Sequence, residues 1–262
     1  MTGGWHADGD EAPRVVDWDA AGYARLSTPQ QSWARDVLAR LHLRGDETVV
    51  DLGCGAGLVT EQLAALVPRG RVVAVDVSAA MVRATRARLG DRAEVVRADL
   101  HEFTWPEPAD VLVSTATLHW VPDHARLWRH LRGLLRPGGV LAVQYGGAGN
   151  IPGVEEAMAE LAGREPFAAH LAPFRSPWTF DAVETARREV ATAGFTDVRV
   201  WSERRPARPP DVPAFLATSV AVTELDRLPE ELRDRYTAAL FAALGAPEEL
   251  GYVRLDVDAR AG

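Results

Sequence analysis

The apolar positions of this chain follow two alternating rhythms. Short apolar runs suited to buried strands occur at Thr48–Leu52, Arg71–Val75, Ala93–Arg97, Val111–Thr115 and Val140–Gln144. Between them, Val59–Val67, Ala79–Leu89 and His124–Leu135 repeat at helical spacing, and Leu127, Trp128, Leu131, Leu134 and Leu135 make one apolar stripe. Strands alternating with helices in this way predict a parallel sheet with helices on both faces and right-handed crossovers. A ligand site is then expected at the carboxyl ends of the strands, where the strand order reverses.

Outside that alternation the pattern is less regular. Residues 1–14 read as a disordered leader, and Trp18 to Leu43 turns helical through Trp33, Val37, Leu38 and Leu41. Residues 147–180 are rich in Gly, Pro and aromatics and predict an irregular segment. A helix at Asp181–Ala193, closed by Gly194, leads into a strand at Asp197–Ser202. Four prolines lie between Arg205 and Pro213, followed by helical patterns over Val212–Thr223 and Pro229–Leu244 and a last strand at Tyr252–Val257. The expected division is therefore a core at 15–146, a cap segment at 147–180, core again at 181–204, a helical insertion at 205–248 forming part of the cap, and a final core strand in 249–262.

Composition narrows the function. The chain has 262 residues, 47% of them hydrophobic and 25% charged, which is ordinary globular composition with enough length for a sizeable core. A formal net charge of −8 and no basic run argue against a nucleic-acid partner. The single cysteine, Cys54, leaves no intramolecular disulfide to form. No apolar stretch nears the ~20 residues of a membrane span, and Met1 to Glu11 lacks signal-peptide character. A cytoplasmic protein, monomer or homodimer, is expected.

The strongest chemical signal is Val49-Val50-Asp51-Leu52-Gly53-Cys54-Gly55-Ala56-Gly57, a strand entering a glycine loop and then a helix. Glycines there let the backbone approach a ligand. A nicotinamide fingerprint needs G-x-G-x-x-G, and Leu58 occupies the place of its third glycine, which disfavours a dehydrogenase. Asp51 suits a cationic amino-acid ligand better than a pyrophosphate. Asp76, ending the second strand roughly 20 residues further on, suits a ribose; its alternative role as a helix cap is already met by Ser78. Asp99, after the third strand, suits an adenine amino group, although an Asp after a strand is often only a turn residue.

Together, Asp51-Leu52-Gly53-Cys54-Gly55-Ala56-Gly57, Asp76, Ala98-Asp99-Leu100 and Leu134-Leu135-Arg136-Pro137-Gly138-Gly139 resemble the successive motifs of the Rossmann-like (class I) methyltransferases that use S-adenosylmethionine (SAM). Ala193-Gly194-Phe195-Thr196-Asp197-Val198 resembles that family's entry into its sixth strand. Ala116-Thr117-Leu118-His119-Trp120-Val121-Pro122-Asp123-His124 and the helical insertion before the last strand are similar to the trans-aconitate and related small-acid methyltransferases. The resemblance implies a doubly wound, mostly parallel seven-stranded α/β sheet whose last strand is antiparallel, under a helical cap. It implies SAM as cofactor, S-adenosylhomocysteine as product, and methyl transfer to an O or C nucleophile of a small molecule. It also places Asp51 and the Gly53–Gly57 loop, with Cys54 and Gly55, toward the methionine part, Asp76 toward the ribose, and Asp99, between Ala98 and Leu100, toward the adenine. Val77, Met81 and Thr115 are further cofactor-binding candidates, and Tyr23 and Gln30 close over the cofactor.

On the substrate side, His119 follows the fourth strand. It suits a proton acceptor or a hydrogen-bond donor to substrate; equally, it suits a ring packed on Trp120 and bonded to a backbone carbonyl. A carboxylate acceptor needs no base, whereas a phenol or carbon acid does. Gln144 and Tyr145 are expected as pocket walls or as ordinary strand-end residues, Trp178 as an apolar cover or equally as a core residue beneath a long loop, and Arg175 as the binder of a substrate carboxylate. No His or acidic spacing suits a metal. The competing functional reading is a fold that binds SAM and a metabolite without methyl transfer.

Overall fold

The structure is a computed structural model, and it describes residues 17–26 and 28–262. The expected leader at 1–14 lies outside the described residues. Two helices open the described chain, α1 (Ala20–Leu26) and α2 (Thr28–Ala39). The alternating section follows as β1 (Thr48–Leu52), α3 (Leu58–Leu66), β2 (Arg71–Asp76), α4 (Ala79–Leu89), β3 (Glu94–Arg97), β4 (Ala109–Thr115), α5 (His124–Leu134) and β5 (Leu135–Gly146). Then come α6 (Val154–Ala162), α7 (Ala168–Leu171), α8 (Val183–Thr192), β6 (Phe195–Arg204), α9 (Val212–Ser219), α10 (Val222–Arg227), α11 (Glu230–Ala243) and β7 (Val253–Ala261).

The strands form one seven-stranded sheet in the order β3-β2-β1-β4-β5-β7-β6. The β1 to β5 pairings are parallel, and β7 runs antiparallel between β5 and β6. The order reverses between β1 and β4, so their carboxyl ends diverge and open a crevice. Val50, Leu112 and Val143 are wholly buried, as interior strands covered on both faces require. On one face α5 presents Leu127, Trp128, Leu131 and Leu134 to the sheet, together with Ala186 and Val190 of α8. On the other, Val37 and Leu38 of α2 and Leu63 of α3 cover β1 and β4. Asp123 starts α5 by accepting from Arg126 N–H at 3.0 Å, and Ser78 starts α4 by accepting from Met81 N–H at 3.3 Å.

A separate apolar cluster joins α6, α7, α9 and α11 around Met158, Leu171, Phe215, Tyr236 and Leu240. Three expectations change here. Residues 147–180 hold two helices rather than irregular chain: Val154, Ala157, Met158 and Leu161 recur at one-face spacing and are all buried. The helix expected over 212–223 breaks after Ser219, and Val220 N and Ala221 N both return to Leu216 O, letting Val220 and Ala221 bury. The last strand runs to Ala261, longer than its apolar core, because it is hydrogen-bonded on both edges.

Candidate functional site

One cavity sits over the carboxyl ends of β1, β2 and β4, beneath α2 and α9. The glycine loop forms its floor. Gly53 has φ +74°, and a Cβ there would stand 2.1 Å from Thr117 Cγ2, so the close packing of loop against loop admits only glycine. Gly53 N–H and Cys54 N–H both donate to Val75 O, at 2.8 and 2.9 Å, anchoring the loop to β2. Asp76 accepts from Gly55 N–H at 2.9 Å on Oδ2 and from Ser78 N–H at 2.9 Å on Oδ1. Its carboxyl is raised by burial, a trend opposed by the hydrogen bonds from Ser78, Gly55 and Val77.

Gln30, Gly53, Gly55, Asp76, Val77 and Met81 line the cavity, as do Asp99, Leu100 and His119. Asp99 also serves its plainer role, with Oδ1 accepting from His101 N–H at 2.7 Å. Tyr23 lies in α1, and its side chain is outside the described atoms. Asp51 is buried beneath the loop, where Oδ2 accepts from Thr60 Oγ1 at 2.6 Å. Burial, together with the nearby Asp76 charge, pushes its carboxyl up to about 7 against that bond. Cys54 turns inward, packing with Ala74, Val82 and Val95. Ala98 packs on the sheet core, and Thr115 is replaced on the cavity wall by Ala116 and Thr117, just past the strand end.

The substrate-side expectations need correction. Successive strand residues point to opposite faces, so Gln144 and Tyr145 cannot both face one cavity, and neither lines it. Gln144 Nε2 donates to Asp256 at 2.9 and 3.0 Å, and Tyr145 Oη donates to Asp181 at 2.9 Å on the far side of the sheet. Arg175 is exposed to solvent and off the cavity wall. Trp178 stands behind the lining, against Trp120 at 5.7 Å and Phe180 at 5.5 Å between centroids.

His119 is brought to the cavity by a single 3-10 turn, Leu118–Trp120, after β4. Gly146 N–H donates to His119 Nδ1 at 3.3 Å, which puts the ring proton on Nε2. Burial, then the charges of Arg254 and His124, hold its pKa well below the usual 6.5, so the ring is neutral. The turn is braced from below. His124 is buried with Nδ1 on Asp181 Oδ2 and Nε2 on Leu118 O at 2.9 Å; both partners are acceptors, so both nitrogens carry protons. Burial disfavours that cation, but the Asp181 hydrogen bond and charge outweigh it, with the Leu118 carbonyl and Glu189 adding to the upward shift.

The remaining walls were not singled out as site residues: Trp18, Trp33, Thr117, Trp120, Val121, Pro122, Ser219, Tyr252 and Arg254. Trp18 meets Trp120 edge-on at 5.1 Å, giving the cavity an aromatic rim. Arg254 offered one faint signal, a cation beside the apolar Val253 and Leu255. Among the described residues, no group of His, Cys, Asp and Glu is placed to hold a metal ion, and no helix is long and apolar enough to cross a membrane.

Comparison with known proteins agrees with this geometry. Residues 50–143 match a family model described as a methyltransferase domain. The chain is 38% identical to the trans-aconitate 2-methyltransferase of Azoarcus sp. (strain BH72), over 66% of this chain and 70% of that protein. It is 37% identical to the enzyme of the same name from Methylobacterium nodulans, over 71% of this chain and 72% of the relative. Among solved structures, phosphoethanolamine N-methyltransferase 2 of Haemonchus contortus with SAM superposes with TM-score 0.62 at 16% identity, covering 93% of this chain and 57% of that one. A mycolic acid cyclopropane synthase complexed with S-adenosylhomocysteine gives TM-score 0.61 at 16% identity, covering 93% and 95%.

Proposed function

We propose, from the premise that this chain belongs to the class I SAM-dependent methyltransferase family that includes the trans-aconitate 2-methyltransferases, that it methylates a carboxylate oxygen of a small organic acid. SAM is the cofactor. The observation that carries the acceptor class is the state of His119: a neutral ring whose Nδ1 is already occupied by Gly146 N–H. Such a ring donates through Nε2 and has no free lone pair with which to take a proton. A carboxylate is ionised at neutral pH and needs no base, so the site suits that acceptor better than a phenol or carbon acid.

The residues present fit the cofactor. Gln30 Oε1 and Ser219 Oγ are buried without a hydrogen-bond partner, and both residues line the cavity, as expected of a site completed by a polar ligand. Asp76 would take the ribose hydroxyls beside Val77, and Asp99 the adenine amino group, with Met81 and Leu100 around the ring. The loop at Gly53, Cys54 and Gly55, with Asp51 beneath it, would hold the cationic amino-acid end, and Gln30 would close over it, with Ala116 and Thr117 completing the wall. When bound, SAM supplies a methyl group already activated on sulfonium. The protein's share is then alignment and exclusion of water: His119 orients the acceptor, and Trp18 and Trp120 shut the rim. We place the enzyme in the cytoplasm, in secondary metabolism, acting on a small molecule and not on nucleic acid.

Titration of the wild-type protein and Asp76→Ala with S-adenosylhomocysteine and with NAD tests the cofactor site. Tight S-adenosylhomocysteine binding, lost in the variant, is expected. Incubation with SAM and small acids should then yield methyl esters by mass spectrometry. Binding of NAD instead, or methylation of phenols but of no acid, would overturn the proposal.

A further inference from the structure

We propose, resting on the carboxylate reading above, that the acceptor is an aromatic monocarboxylic acid, with its one carboxylate at His119 and Ser219 and its flat apolar body between Trp120 and the Trp33–Tyr252 wall. Charge decides the first half. Among the described residues that line the cavity, Arg254 is the one arginine or lysine, and its charge is already answered inside the fold. Residues two apart on a strand share a face, so Arg254 and the buried Asp256 stand side by side on β7. Burial raises the Asp256 carboxyl, while the charge of Arg40, the Gln144 hydrogen bond and the charge of Arg254 pull it back. Arg40 lies 3.0 Å from Asp256 and 3.1 Å from Asp258, so two arginines face two aspartates and no net charge is left for a ligand to neutralise. His119 offers an N–H, since its Nδ1 is taken by Gly146 N–H, and Ser219 offers a hydroxyl with no partner among the described residues. These serve one carboxylate. Any further carboxylate would be buried without a counter-charge, at heavy cost.

Aromatic walls decide the second half. Trp33 packs on Tyr252 at 5.1 Å between centroids, and Tyr252 meets Phe215 edge-on at 6.2 Å. Tyr252 directly precedes β7, which in the order β1-β4-β5-β7 lies three strands from the glycine loop, roughly 14 Å across the sheet at the usual strand spacing. That wall therefore belongs to the substrate rather than to a ligand seated on Gly53 and Asp76. Trp120, half-buried, stands 5.6 Å from the His119 ring and is backed by Trp178 at 5.7 Å, which stacks on Phe180 at 5.5 Å. A ring held among these side chains gains edge-to-face and offset contacts that an aliphatic chain does not make.

The test is steady-state kinetics at saturating SAM with trans-cinnamate, hexanoate and trans-aconitate, for wild type, Trp120→Leu and Trp120→Phe. S-adenosylhomocysteine titration of each protein reports the cofactor site independently. In the wild type, kcat/KM for cinnamate is expected to be about 10-fold above that for hexanoate and at least about 100-fold above that for trans-aconitate. Trp120→Leu should erase the preference for cinnamate over hexanoate by raising the cinnamate KM, with kcat changed far less. Trp120→Phe should keep most of it, since it restores a ring. A Trp120 that only supports the fold would slow both acids alike, and a cinnamate-to-hexanoate ratio unmoved in Trp120→Leu overturns the proposal. If Trp120→Leu fails to fold, the wild-type ranking decides. Hexanoate or trans-aconitate methylated as well as cinnamate would remove the aromatic monoacid while leaving the carboxylate reading intact. S-adenosylhomocysteine binding without methylation of any acid would remove both.

Discussion

Replacing Asp181 by Asn tests whether a buried imidazolium braces the cavity. In the wild type, His124 donates from Nδ1 to Asp181 and from Nε2 to Leu118 O at 2.9 Å, the first residue of the turn that carries His119. The amide keeps the shape and can still accept from Tyr145, but it removes the negative charge. While His124 stays protonated, the loss is that of one partner from a buried pair, about 3–5 kcal/mol. Where the ring can shed its proton, only a hydrogen bond to a charged group is lost, about 1.5–3 kcal/mol. The sign follows from the upward shift of His124. A group whose folded pKa is raised contributes its full stability below the unfolded value of 6.5 and loses it as pH rises through the folded one. The deficit of Asp181→Asn should therefore be larger near about pH 5.5 than near about pH 8.5. At about 2–4 °C per kcal/mol for a chain of this size, a mid-range loss of about 4 kcal/mol lowers Tm by roughly 8–16 °C at the acid end and by about half that at the alkaline end. Urea unfolding of both proteins at both pH values measures it. A deficit equal at the two, or growing toward alkaline pH, refutes the buried cation.

Two further outcomes follow from the cavity floor. Thr60→Val removes the 2.6 Å bond that holds Asp51 down, so its carboxyl should rise further above about 7. Affinity for S-adenosylhomocysteine, which should grow as Asp51 ionises, would then turn on at higher pH in the variant, and an unshifted midpoint in a binding series would count against Asp51 as the partner of the amino group. Gly53→Ala forces a Cβ to 2.1 Å from Thr117 Cγ2 at φ +74°, which should abolish S-adenosylhomocysteine binding and cost at least the ~1–2 kcal/mol of left-handed strain. Adding Thr117→Ala should restore part of the binding, and a single variant that binds normally would show that the loop tolerates a side chain.

What could be read from the chain alone was whatever depends on local periodicity and on contiguous motifs. The buried runs of β1, β2 and β4, the stripe Leu127, Trp128, Leu131 and Leu134, and the loop at Gly53 to Gly57 each declare themselves within a few residues, because a strand has a period of two and a helix of 3.6. The cavity floor was legible for the same reason: Gly53, Asp76 and Asp99, which line it, each stand at or just past the end of a strand that can be located from its own residues. The opposite wall was legible only at His119. Arg254, Ser219 and Trp33 come from β7, α9 and α2, and they meet His119 only because β7 inserts antiparallel beside β5. Arg175 looked equally suited to an acid until its exposure was known. Gln144 looked suited to the pocket until the pleat turned it onto Asp256. Charge and residue type are properties of the chain, but whether a cation faces water or a cavity is decided by which distant segments cover it, and only the assembled sheet and its cap decide that.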